Sequence, residues 1–147
     1  MKIFIAKKIN MKRIIKIISL VYYLSLIYIL FFHSLRIITY NNINLIPFTT
    51  IIRYCKYYNI FTFKFWFLNI FGNIILFIPF GILTPLLINK PITIIKLFIL
   101  TLLICFFTEF CQNFFMVGQF DVDDIILNTL GSLIGFLLLY LFKKKIN

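Results

Sequence analysis

Carboxylates are the residues best suited to chemistry in this chain, and they are scarce. All four, Glu109, Asp121, Asp123 and Asp124, fall in one 16-residue window of a 147-residue sequence. Glu109 interrupts a run that is otherwise apolar from Leu97 to Thr108. Gln112 and Asn113 follow three and four residues later, so at helical spacing they share its face. Asp124, Asn128 and Ser132 recur at i, i+4 and i+8, and Asn69 and Asn73 do the same upstream. Three polar faces of this kind could bind a ligand or ion, or could hold helices together through interhelical hydrogen bonds. The Asp121, Asp123 and Asp124 run could hold a hard divalent cation, although a helix N-terminus, which negative charge caps, is the simpler use for at least one of them.

The other reactive residue types form no constellation. Cys55, Cys105 and Cys111 make no CxxC pair, and the odd count suggests neither a disulfide framework nor zinc. His33 is the single histidine, with no carboxylate or cysteine at ligand spacing. No HExxH and no phosphate-binding glycine loop is present. No metal and no cofactor are expected, and the residues favour a binding or accessory protein over an enzyme. Gly131 and Gly135 form a GxxxG pair, which lets a neighbouring helix backbone approach closely.

The elements that must position these residues follow from composition. The chain is 63% hydrophobic and only 13% charged, against roughly 25% charged in soluble domains, so it lacks the polar surface to cover itself in water. A spanning helix needs roughly 20 apolar residues. Four segments qualify, at about 14–32, 67–88, 92–113 and 125–142. They predict an all-α, polytopic transmembrane bundle occupying residues 14–142 as one domain. A basic segment precedes it at 1–13 and a basic tail follows at 143–147. The second span contains Pro79 and Pro85, which predicts a kink or break near Pro79.

A net charge of +11 would suggest nucleic acid if it were spread over one face, but here it flanks the apolar runs. Lys2, Lys7, Lys8, Lys12, Arg13 and Lys16 lead the chain and Lys143, Lys144 and Lys145 follow the last span. These are the positions of cytoplasmic anchors, so no nucleic-acid partner is expected and both ends are placed in the cytoplasm. That orientation puts Asn69, Asn73, Glu109, Gln112, Asp124 and Asn128 in the outer third of the membrane. The loop at 33–66 is too apolar for simple solvation and is expected to lie in the interface or to dip into the membrane, with Trp66 as a belt residue.

Four stretches carry a family resemblance. They are Asn44-Leu45-Ile46-Pro47-Phe48, then Gly72-Asn73-Ile74-Ile75-Leu76-Phe77-Ile78-Pro79-Phe80-Gly81, then Glu109-Phe110-Cys111-Gln112, then Asp121-Val122-Asp123-Asp124-Ile125-Ile126-Leu127-Asn128-Thr129-Leu130-Gly131. In that order and approximate spacing they resemble the VanZ-like family over about residues 44–141. The resemblance implies a multi-pass protein of the bacterial plasma membrane, related to the accessory factor for teicoplanin (glycopeptide) resistance. Matched residue by residue, it marks Asn44, Asn73, Glu109, Gln112, Asp121, Asp124 and Asn128 as candidate ligand-binding positions. Relatives often carry an arginine just ahead of the aspartates, where this chain reads Val117-Gly118-Gln119-Phe120. Arg36 or Arg53 from the first loop is a candidate replacement.

The expected function is that of an envelope accessory protein binding an amphiphile at an outward polar site. Its partners would be membrane lipids and a lipid-linked cell-wall precursor or glycopeptide, and a homo-oligomer is compatible with the sequence. Two alternatives use the same acids: an intramembrane lipid-modifying enzyme working through Glu109, Asp121 and Asp124, or a proton-coupled transporter with Glu109 as the titrating group.

Overall fold

The computed structural model describes residues 2–32, 43–56, 63–88 and 91–146, with side chains described from Asn10 onward and not at 64, 65 or 146. His33, Arg36 and Lys90 lie outside the described residues. The described chain is all-helical. Helix α1 runs Lys2–Phe31, α2 Thr49–Lys56, α3 Phe63–Phe67, α4 Asn73–Leu87, α5 Ile94–Phe114 and α6 Val122–Ile146. One π-helical turn, Leu68–Gly72, joins α3 to α4. Four segments are long and apolar enough to cross a membrane: Asn10–Phe31, Leu68–Leu87, Ile94–Phe114 and Val122–Lys145.

Of the kink or break expected near Pro79, the break is absent. Helix α4 runs unbroken through both Pro79 and Pro85, and the irregular turn sits upstream at Leu68–Gly72. A membrane helix tolerates proline where neighbours satisfy nearby backbone groups. Here the Tyr22 hydroxyl of α1 donates to the Leu76 carbonyl at 2.8 Å. Tyr23 and Thr84 share a second α1–α4 hydrogen bond, also 2.8 Å.

Helix α6 is the hub, with α4 on one side and α5 on the other. A methyl group built on Gly131 would collide with the Ile74 carbonyl, and one on Gly135 with the Ile78 carbonyl while pressing tightly on the Gly81 Cα. The contacts advance together along both helices, so α4 and α6 are parallel and touch backbone to backbone. Glycine is required here because any Cβ would occupy the space of the facing peptide. On its other side α6 meets the antiparallel α5, where the Thr101 and Ser132 hydroxyls lie 2.9 Å apart. Thr93 starts α5, its hydroxyl accepting the Lys96 N–H at 3.3 Å.

Burial is inverted relative to a soluble domain. The largest fully buried side chains among the described residues are Phe77, Leu97, Gln112, Glu109, Thr101, Asp123, Cys105, Ser19 and Ser132. Most of these are polar, while Ile14, Leu20, Leu24, Phe107 and Leu141 stand exposed. With lipid as the solvent, apolar side chains lose nothing by facing outward, and polar ones must find each other inside.

Candidate functional site

The site is assembled at one end of the bundle, where α4 begins, α5 ends, α6 begins and the first loop returns. Helix α5 ends after Phe114 in a turn that reverses the chain, with Met116 in the left-handed region at φ 56°. The N–H groups of Val117 and Gly118 both donate to the Gln112 carbonyl, at 2.9 and 3.1 Å, closing that helix end. The chain then returns to α6 beside Glu109, whose carboxylate accepts the Asp121 N–H at 3.2 Å.

The first loop docks onto this end as a one-residue parallel bridge. Asn44 N–H donates to the Phe120 carbonyl at 2.9 Å, and Val122 N–H donates to the Asn44 carbonyl at 3.1 Å. The Asn44 side chain adds 2.9 Å to Asp121 Oδ1 and 3.1 Å to the Thr50 hydroxyl. Thr50 in turn donates to Asp121 Oδ2 at 2.7 Å.

The three aspartates have three different jobs. Asp121 caps its own helix, with Oδ1 accepting the Asp123 N–H at 2.9 Å. Asp123 is fully buried and caps a different helix. Its two oxygens accept the N–H groups of Phe48, Thr50 and Ile51, the last two at 2.7 and 3.1 Å. It thus sits at the positive end of α2 as an anion would. Phe48, at φ 66°, adopts the left-handed conformation that aims its N–H at this carboxylate. Such a conformation is unusual for a bulky residue, and the charge-assisted bond it makes offsets the strain. Asp124 faces α4, where Asn73 Nδ2 reaches its Oδ1 at 2.6 Å. Asn73 also spans the π turn, donating to the Asn69 carbonyl at 3.3 Å. Asn69 itself is exposed.

Asn44, Asn73, Glu109, Asp121 and Asp124 are therefore brought together at one end of the bundle. Gln112 is buried close by, but its amide donates to the Leu30 carbonyl at 2.7 Å and ties α5 to the last turn of α1. Asn128 lies one helical turn beyond Asp124, only 3% exposed, and its Oδ1 has no hydrogen-bond partner among the described residues. The adjacent Thr129 is also buried. A buried acceptor without a donor is costly, so Asn128 stands out among the matched polar positions.

The idea that Arg53 replaces the missing arginine is not realised. Arg53 is exposed on α2, and Asp121 and Asp123 are met by amide, hydroxyl and backbone N–H donors. The cation reading of the aspartate run also fails on geometry, because Asp123 turns away to α2. Among the described residues, no group of three or more His, Cys, Asp or Glu side chains could hold a metal ion. Asp123 was missed as a matched position, although its place in the acidic run was visible. Nothing local in sequence announces that an aspartate will cap a helix some seventy residues upstream.

The order of these parts is that of a known family: loop asparagine, helix-start asparagine, α5 glutamate and aspartate-led α6. The VanZ/LLP1 family model matches residues 19–143. The chain belongs to the VanZ/LLP1 family. Among curated proteins it is similar to "Protein VanZ" of Enterococcus faecium, 37% identical over 82 residues, covering 55% of this chain and 50% of that protein. The match thus spans about half the length of that relative. No solved structure matches the chain. In this VanZ-like chain the stretches that carry the resemblance are the ones forming the α4–α6 seam and the acidic end of the bundle.

Proposed function

We propose that this VanZ-like membrane protein is an envelope accessory factor that binds an amphiphilic or lipid-linked ligand at its acidic end and so alters the response to teicoplanin-type glycopeptides. The observation that carries this reading is the group of oxygen-bearing side chains at this end, with Glu109 and Asn128 buried and Asp124 half-buried, in which Asn128 Oδ1 has no donor among the described residues. A carboxylate fully buried inside a spanning helix is expensive and is retained where it binds something or holds the bundle together. The acceptor-rich chemistry suits a partner bearing an amine or other N–H donors. By the positive-inside rule the basic ends lie in the cytoplasm, and the cluster then opens on the outer face of the plasma membrane, where wall precursors and glycopeptides meet.

The test is expression of the chain in a teicoplanin-susceptible Gram-positive host, with membrane levels followed through an epitope tag. Teicoplanin susceptibility should fall with the native chain and return with Glu109→Gln or Asn128→Ala at equal membrane levels. Native-level protection by both variants would leave the cluster a structural glue and sink the ligand reading.

A further inference from the structure

A second feature of the bundle lies outside the polar cluster. Helices α1, α4 and α5 do not close on one another, and between them lies a cavity of 330 Å³ walled by Leu26, Leu30, Phe77, Leu100 and Ile104 among others. All three walls are spanning helices. The cavity's three hydroxyl side chains, Tyr23, Thr84 and Thr108, are already used within the wall. Tyr23 and Thr84 bond each other, and Thr108 donates to the Ile104 carbonyl at 2.8 Å. The hydroxyls are thus engaged within the wall, and the leucine, isoleucine and phenylalanine that make up most of the lining give water, which needs two to four polar partners, little to bond.

Its dimensions narrow the choice of occupant. On α5 it runs from Leu100 to Thr108, about 12 Å at 1.5 Å per residue. At 330 Å³ it is about twice the size of an apolar cavity that stays dry and binds benzene. An elongated apolar space of that size suits a segment of one hydrocarbon chain. Its length is just under half of a ~30 Å hydrocarbon core, on the scale of a chain in one leaflet. The end at Leu30 and Thr108 lies within one turn of Gln112, whose amide bonds the Leu30 carbonyl, and Gln112 neighbours Glu109.

We propose that the α1–α4–α5 cavity is a subsite for a single hydrocarbon chain of a membrane amphiphile. Its mouth faces the acyl phase, and its upper end abuts the polar cluster, so a chain seated there brings its headgroup to the end of the bundle carrying Glu109. Only the headgroup contact rests on the ligand reading of that cluster. The chain subsite stands on the cavity alone.

The experiment uses the full chain in phosphatidylcholine vesicles whose acyl chains carry a mid-chain diazirine, with adducts mapped by mass spectrometry after irradiation. Adducts should be enriched severalfold at Leu26, Leu30 and Ile104 over the freely lipid-exposed Leu103 and Phe107. Ile104→Phe, which fills the slot, should remove that enrichment, and Leu103→Phe, on the outer face, should not. Labelling spread evenly over the lipid-facing residues of the unsubstituted chain overturns the proposal, and that arm needs no variant to fold. Glu109→Gln separates the two readings. Retained slot labelling with lost glycopeptide protection supports both, and retained labelling with intact protection supports the chain subsite while removing the headgroup site.

Discussion

Replacing Asp123 with alanine should release the first loop while leaving the spanning bundle assembled. Its carboxylate accepts three backbone N–H groups, from Phe48, Thr50 and Ile51. A hydrogen bond to a charged group is worth about 1.5–3 kcal/mol net when its partner stays buried. Phe48 is exposed and Thr50 and Ile51 are half-buried, so water can reach the freed N–H groups, and the sum must be discounted well below three full bonds. About 2–4 kcal/mol of local stability is a reasonable loss, including the helix-dipole term at the start of α2. The spans do not depend on this contact, since α4, α5 and α6 meet through Gly131, Gly135, Thr101 and Ser132. The loss should therefore appear as local opening of residues 44–56. Hydrogen exchange followed by mass spectrometry reads it directly. At a factor of ten per 1.4 kcal/mol, amides at 50–56 should exchange roughly 30- to 700-fold faster, while those of α5 and α6 keep their native protection. Asp123→Asn, which keeps one carbonyl oxygen, should fall between. Unchanged exchange at 50–56 in Asp123→Ala would refute the assignment of this carboxylate as the clamp.

Three further outcomes follow from the packing. Gly131→Ala and Gly135→Ala should each cost upward of ~1–3 kcal/mol, since the added methyl meets backbone carbonyls of α4 that cannot turn aside, and thermal unfolding in detergent should show it. Gly72→Ala, with nothing within 4 Å of its would-be methyl, is the control and should be near neutral. Thr101→Val and Ser132→Ala should be coupled by about 0.6–1.7 kcal/mol in a double-mutant cycle, because they share one buried interhelical bond. Tyr22→Phe should cost about 0.5–1.5 kcal/mol by removing the hydroxyl that reaches the Leu76 carbonyl, measured by the same unfolding assay.

Membrane residence and helix number were legible in composition, because lipid demands roughly 20 apolar residues per span and nothing else in a chain of this length does. The Gly131–Gly135 spacing likewise announced a close helix contact. The grouping of polar residues at one end was legible once spans and direction were counted. What spacing alone left open was the partner of each group. Gln112 and Glu109 share a face of α5, yet one amide reaches α1 while the carboxylate meets the turn into α6. The helical period fixes the angle at which a side chain leaves its axis, whereas the neighbour it meets depends on how three helices cross.

The acidic run makes the same division sharper. Its position and its sign are properties of the sequence, and so is its tendency to cap a helix start. The Asp121 cap on α6 is local to the sequence, whereas the capping of α2 by Asp123 and the bond from Asn73 to Asp124 were decided by tertiary structure. A carboxylate inside a bundle has few donors within reach, and long-range folding determines which ones arrive. The slot between α1, α4 and α5 belongs to the same category, because an empty space is a property of packed helices and has no residue of its own.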